Sequence, residues 1–235
     1  MRQLSKTHKE NLLERGLTDE QIYRYGYKST PAFGFTKLAD SLINSGCVIE
    51  GVPGFYQKDG RWVLNFNSGC SGIVIPVISI EGKIQAAQIR LDRPINNRKY
   101  IWFSSTDKDS GSTAGSPTHY AGDPCGRVVY VTEGALKATV AHCLSGKSFA
   151  AIAGVNQYNA LDTLLRQLKD NGVEEIVETY DMDKLKNEHV ENGCRHLLEV
   201  CGRYGFTTHR LTWDPNYKGI DDFLAAKKKR TAIKQ

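Results

Sequence analysis

The chain has 235 residues, of which 40% are hydrophobic and 24% charged, enough for one large or two small globular domains with a proper core. The net charge of +5 and a pI of about 8.8 permit a polyanionic partner without demanding one. The six cysteines form no CxxC pair, which argues against a zinc ribbon or finger, and no apolar run is long enough to span a membrane. The N-terminus lacks the apolar segment of a secretory signal, so the expectation is a cytoplasmic protein with reduced, mostly buried thiols.

Residues 5–27 read as two short helices. Leu12 and Leu13 lie in the first, Gly16 stops it, and Thr18 with Gln21 forms a capping box for the second. A small helical cap is preferred over a DNA-reading helix-turn-helix, because helical hairpins are common packing units. Residues 30–70 read as irregular, with a hairpin turning at Asp59-Gly60. Two apolar strands then flank Glu81-Gly82, and "KYIWFSS" reads as another strand. The polar stretch "TDKDSGSTAGSPTHYAGDPCG" reads as a long loop, with a subdomain boundary near its end.

From Gly126 onward strands and helices alternate. "RVVYVTE", "SFAAIAG", "EEIVETYDMD" and "THRLTW" are predicted strands; "GALKATVAHCLSG", "ALDTLLRQLKDNG" and "NEHVENGCRHLLEVCGRYG" are predicted helices. That rhythm implies a parallel sheet covered by helices, with its site at the carboxyl ends of the strands. The basic end "AAKKKRTAIKQ" reads as a solvated helix end, with phosphate contact as the minor alternative.

Acidic side chains sit at two of those strand ends. Glu133 ends the first strand of the unit, and Asp181 and Asp183 end the third. In a right-handed parallel arrangement both ends share one sheet edge. Carboxylates gathered there repel one another unless a cation joins them, and hard oxygen ligands favour Mg²⁺ or Mn²⁺. In extended geometry both aspartates of Asp-x-Asp point one way and Met182 the other, into the core. Taken singly, each motif has a bland explanation as a helix cap or a solvated loop. A further cluster holds Lys218, Asp221 and Asp222; Asp221 is open to capping the following helix or to the acidic edge, with Lys218 reaching a phosphate.

Together "VVYVTEGALKA", "AIAGV", "YDMD" and "KGIDDFL" resemble a Toprim domain, and the stretch from Ser71 to Ala226 resembles the catalytic core of bacterial DnaG-type primases. The look is most similar to primase-like proteins of phages, plasmids and integrative elements. The resemblance implies an α/β fold, α+β overall: a Toprim-type parallel sheet flanked by helices, preceded by a smaller mixed subdomain. The expected divisions are a helical cap at 1–30, a primase-like N-terminal subdomain at 31–125, the Toprim domain at 126–226 and a basic tail at 227–235. It further implies catalytic roles for Glu133, Asp181 and Asp183, and metal ligation by Glu133, Asp181, Asp183 and Asp221, with Asp222 competing for the last place. Arg90, Lys99, Lys137 and Lys218 are the implied nucleotide- and template-binding residues. One departure stands out: "KLKN" follows the Asp-x-Asp where primases usually have Ala-Gly.

The implied chemistry is metal-dependent nucleotidyl transfer on single-stranded DNA, namely primer synthesis from nucleoside triphosphates with two cations at the acidic edge. A replicative helicase is an admissible protein partner; a membrane is not expected. Trp102 and Phe103 are open to base stacking, although mid-strand aromatics are more often core. No zinc-binding module is expected before the core and no helicase motor after it. A Toprim nuclease and a non-catalytic nucleic-acid-binding protein of a mobile element are the alternatives.

Overall fold

The computed structural model describes residues 4–66, 69–154 and 157–233. It divides into two units. One takes residues up to Asn11, Ile22–Pro76 and Ile84–Ser116; the other takes Leu12–Gln21, Val77–Lys83 and the chain from Pro117 onward. Two helices, α1 (Lys6–Glu14) and α2 (Asp19–Arg24), open the chain. The capping box forms as expected: Thr18 N–H donates to Gln21 Oε1 at 2.9 Å, and Gln21 N–H to Thr18 Oγ1 at 3.2 Å.

The first unit is built on antiparallel pairing. Its strands and helix are β1 (Lys28–Ser29), α3 (Phe35–Asn44), β2 (Phe55–Lys58), β3 (Arg61–Leu64), β4 (Gly72–Ile78), β5 (Ile84–Ile95) and β6 (Arg98–Trp102). The main sheet runs β1-β4-β5-β6, and β2 pairs only with β3. Asp59 and Gly60, with φ of 51° and 72°, make the left-handed two-residue turn between β2 and β3. A second such turn was not anticipated: Asn96 and Asn97, with φ of 48° and 62°, carry β5 past Pro94 and back into β6. Helix α3 also falls where an irregular chain was expected. Phe35, Leu38 and Leu42 recur at helical spacing and pack on a core of Ile49, Phe55, Leu64 and Ile89. Phe103 stacks on Phe66 at 4.6 Å, which assigns it to that core; Trp102 is half-buried beside it in sequence.

The second unit carries the parallel sheet. Its elements are β7 (His119–Ala121), β8 (Val128–Glu133), α4 (Ala135–Ser145), β9 (Ser148–Ile152), α5 (Tyr158–Asp170), β10 (Glu175–Glu178), a 3-10 turn (Met182–Leu185), α6 (Glu188–Arg203), β11 (Thr207–Arg210) and α7 (Ile220–Ile233). The order is β11-β10-β8-β9-β7, and only β7 runs antiparallel to its neighbour. Helix α5 buries Leu161, Leu164, Leu165 and Leu168, and α6 buries Cys194, Leu197 and Cys201. Each such leucine contributes about 1.5 to 3 kcal/mol by leaving water. The sheet is therefore sealed by helices, as the alternation implied.

Besides α3, three expectations need correction. Strand β7 lies inside the stretch read as a loop; three residues are too few to show a period, and His119 is held there by tertiary bonds. The third predicted strand stops at Glu178, so Asp181 and Asp183 are not in extended geometry. Asp181 instead precedes the 3-10 turn that carries Asp183. Finally, the thiols are not mostly buried: Cys47 and Cys125 are exposed and Cys143 is half-exposed. Burial pushes the Cys194 and Cys201 thiols up to about 12, which leaves them unreactive. Among the described residues no helix is long and apolar enough to cross a membrane.

Candidate active site

Strands β8 and β10 are direct parallel neighbours, with Val131 opposite Glu178. Their carboxyl ends therefore open on the same sheet edge. Two buried threonines lace that edge together. Thr132 Oγ1 donates to Thr179 O at 3.1 Å, Thr179 Oγ1 donates to Val131 O at 2.8 Å, and Thr179 N–H donates to the same carbonyl at 2.9 Å. A hydroxyl at each position thus ties Glu133, one residue on, to Asp181, two residues on. Gly134 follows Glu133 with φ of 81° and ψ of 133°, a backbone open essentially to glycine, and its N–H donates to Ile152 O of β9. This turn lets α4 begin directly behind the glutamate.

The Asp-x-Asp turn is fixed from below by charge. Lys184 is fully buried, and its ammonium donates to both oxygens of fully buried Glu178 at 2.9 Å and to Leu211 O at 2.8 Å. Trp213 lies over the same ammonium at 5.4 Å. Glu178 also accepts from Tyr180 N–H at 2.6 Å. Met182 packs into the core with Ala138, Phe149 and Trp213, as its position in the motif implied. Met182 N–H donates to Lys218 O at 2.9 Å, tying the turn to the segment before α7. The unusual "KLKN" run thus has a structural role that its sequence did not reveal: Lys184 is the anchor of the turn.

Lys137 and Lys218 lie among the carboxylates of Glu133, Asp181, Asp183 and Asp221. The Lys137 ammonium pairs with Asp181 Oδ1. Lys218 donates to Asp183 Oδ2 at 2.7 Å and lies 3.8 Å from Asp181 Oδ2. Burial raises the Glu133 pKa, and Asp181 and Asp183 raise it further against the pull of Lys137 and Lys218. Burial works against the charge on Lys137, but Asp181, Asp221 and Glu133 outweigh it and hold that pKa above its ordinary value. The hydrogen bond to Asp183 does the same for Lys218. Asp221 is pushed up to about 6, chiefly by burial, with Lys137 and Arg15 opposing and Asp222 adding to the rise. The two aspartates divide their work: Asp222 Oδ2 accepts from Gly219 N–H at 3.3 Å at the start of α7, while Asp221 faces Lys137 and accepts from Arg15 at 3.2 Å.

The donor chemistry fits a divalent cation. Asp183 Oδ1 and Asp221 Oδ1 are buried oxygens without a hydrogen-bond partner. Hard carboxylate oxygens of this kind suit Mg²⁺ or Mn²⁺. Among the described residues no three His, Cys, Asp or Glu side chains are already drawn together around a cation position. Two ammonium groups, Lys137 and Lys218, stand among the acids instead. Arg90 and Lys99 lie in the other unit, on the paired strands β5 and β6. Arg90 is half-buried opposite Tyr100, and Lys99 is exposed. The basic run at 227–230 is exposed on α7.

A family described as "Domain of unknown function (DUF3854)" matches residues 126–231. No curated protein matches the chain in sequence. Solved structures do match in fold. A primase from Aquifex aeolicus, comprising zinc-binding and RNA polymerase domains, aligns with a TM-score of 0.70 at 14% identity, covering 98% of this chain and 55% of that one. A DNA primase domain from Pseudomonas aeruginosa aligns with a TM-score of 0.65 at 17% identity, covering 98% and 71%. A DnaG primase catalytic domain bound to single-stranded DNA aligns with a TM-score of 0.60 at 17% identity, covering 97% and 70%. The chain spans about half the length of the Aquifex aeolicus chain. Its mixed α+β fold, with a largely parallel sheet flanked by helices, is the fold of DnaG primase catalytic cores.

Proposed function

We propose that the chain is a Toprim-type, primase-like nucleotidyltransferase that makes primers on single-stranded DNA in the replication of a phage or other mobile element. The observation that supports this most is that Glu133 ends β8 while Asp181 and Asp183 lie in the turn that follows the neighbouring parallel strand β10, with the Asp183 Oδ1 acceptor unpaired. The primase-core fold and a neighbour solved with single-stranded DNA point the same way. The proposed division follows the motif order: a cap at 1–30, a mixed subdomain at 31–125, the Toprim domain at 126–226 and a basic tail beyond.

A divalent cation held by Glu133, Asp181 and Asp183, with Asp221 behind them, would supply the Lewis-acid charge that activates a 3′-hydroxyl and steadies pyrophosphate as it leaves. Glu133 is the proposed acceptor of the hydroxyl proton, the one carboxylate at the end of β8 beside the Asp-x-Asp turn. The 3′-oxygen then bonds to the α-phosphorus as the bond to pyrophosphate breaks. Lys218, at 64% exposure, can leave Asp183 and neutralise phosphate oxygens. Arg90 and Lys99 are the proposed contacts to nucleotide or template phosphates, a salt-dependent role. A replicative helicase is the proposed protein partner.

A second reading, nucleic-acid binding without turnover, is favoured by one observation: both Asp-x-Asp carboxylates already carry a lysine ammonium. One gel separates the readings. End-labelled single-stranded DNA is incubated with Mn²⁺ or Mg²⁺, with and without labelled nucleoside triphosphates, beside the Asp181→Ala/Asp183→Ala protein. New short products that need triphosphates and both aspartates are expected. Template shortening without triphosphates would identify a nuclease instead. Binding with no product in any lane would leave the non-catalytic reading.

A further inference from the structure

Lys137 stands at an unusual place. It lies in the first turn of α4, where the helix dipole disfavours a positive side chain, so helix formation does not explain it. Its side chain is only 18% exposed, and its ammonium sits on Asp181 with Asp221 and Glu133 also acting on it. The backbone closes over it: a Cβ at Gly219 would fall 2.4 Å from Asp221 Oδ1 and 3.3 Å from Lys137 Cε. Lys218 differs in kind. It reaches the same acids from an exposed position and can swing into water at little cost, because exposed ion pairs are worth about 1 kcal/mol or less.

The acidic edge thus already holds one nearly buried cation, the Lys137 ammonium on Asp181. The oxygens left open lie with Asp183 and with Asp221, which is 4% exposed and has its Oδ1 unpaired.

We propose that Lys137 is a resident cation that fills one of the two cation places of the acidic edge, so that the site takes a single divalent ion, on the Glu133–Asp183 side. This rests on the reading of the edge as a metal site and specifies how many ions that site admits. Lys137 is then a positioning residue, holding Asp181 and screening Glu133, rather than a phosphate contact.

Mn²⁺ titrated into the full chain, with the free ion followed by electron paramagnetic resonance, tests this without any turnover. The wild type is expected to bind one Mn²⁺ per chain. Lys137→Met is expected to bind two, Lys218→Met one, and Asp181→Asn/Asp183→Asn none; circular dichroism checks that each variant is folded, and Lys137→Gln serves if the methionine variant is not. Two ions on the wild type would overturn the inference, whatever the variants do, and leave the metal site standing. A single ion on folded Lys137→Met or Lys137→Gln would overturn it too. No ion on any folded protein would overturn the metal reading itself, and the inference with it.

Discussion

In the first unit, ion pairs such as Lys6–Glu10 and Arg61–Asp40 lie in solvent, and although Cys70, Gln88 and Ser105 are buried there, among the described residues no lysine, arginine or carboxylate is. The second unit has solvent-exposed pairs as well, but it also buries Lys184 with Glu178 completely and sets Lys137 against Asp181 and Arg15 against Asp221 in nearly closed surroundings. Burying charge costs several kcal/mol per ion before its partner repays it, and an apolar pair of the same volume is often as stable or more so. A unit that only needed to fold would not require these pairs. Their concentration around one sheet edge, beneath and beside the Asp-x-Asp turn, marks where stability has been traded for a placed set of charges.

The largest expected effect breaks the most deeply buried pair. Lys184→Met leaves Glu178 charged and without its main partner, and should cost about 3 to 5 kcal/mol in urea denaturation. Adding Glu178→Leu should recover most of that loss. If the double variant stays as unstable as the single one, the pair is not the source of the cost.

A second effect separates the units by pH. His119 is fully buried; its Nδ1 accepts from Ile78 N–H at 3.0 Å and its Nε2 meets Thr139 Oγ1 at 2.9 Å. Burial lowers its pKa to about 3, with His142 adding to the fall. The unfolded chain therefore binds a proton that the folded chain refuses. The stability this group supports is present in full above about pH 6.5 and falls as pH drops toward 3. At pH 4.5 the loss is about 3 kcal/mol by linkage. Thermal melts from pH 7.5 to 4.5 should show it, and His119→Gln should flatten the slope.

A smaller effect concerns the lacing. Thr132→Val or Thr179→Val removes one buried hydroxyl bond and should cost about 1 to 2 kcal/mol, with weakened Mn²⁺ binding because Glu133 and Asp181 lose their shared tether. Unchanged Mn²⁺ affinity in both variants would mean that the sheet alone sets that spacing. The smallest effect lies in the first unit: Asp40→Ala should change stability by less than about 1 kcal/mol. A larger loss would blur the contrast between the units.

Much of the second unit was legible, because apolar strands alternating with amphipathic helices have few other solutions. That β8 and β10 end on one sheet edge followed from that order; an extended Asp-x-Asp did not, because β10 stops at Glu178. Helix α3 carried its own signal in Phe35, Leu38 and Leu42, but Pro31 and Gly34 nearby suggested irregular chain. Strand β7 was too short to announce itself. The roles of Lys137 and Lys184 were out of reach for another reason: each depends on a carboxylate brought to it by the fold, 44 residues away for Asp181 and 6 for Glu178. A lysine in a polar run reads as solvated until its partner is seen.

If the charges at this edge perform nucleotidyl transfer, Glu133→Gln must abolish most of it. The change keeps the side chain's shape and removes the negative charge on which both its proton acceptance and its hold on a cation depend. Triphosphate incorporation on single-stranded DNA should fall by about 100-fold or more, while the melting temperature holds or rises because a costly buried carboxylate is gone. Incorporation at the wild-type rate by a folded Glu133→Gln protein would mean that this edge does not carry the chemistry.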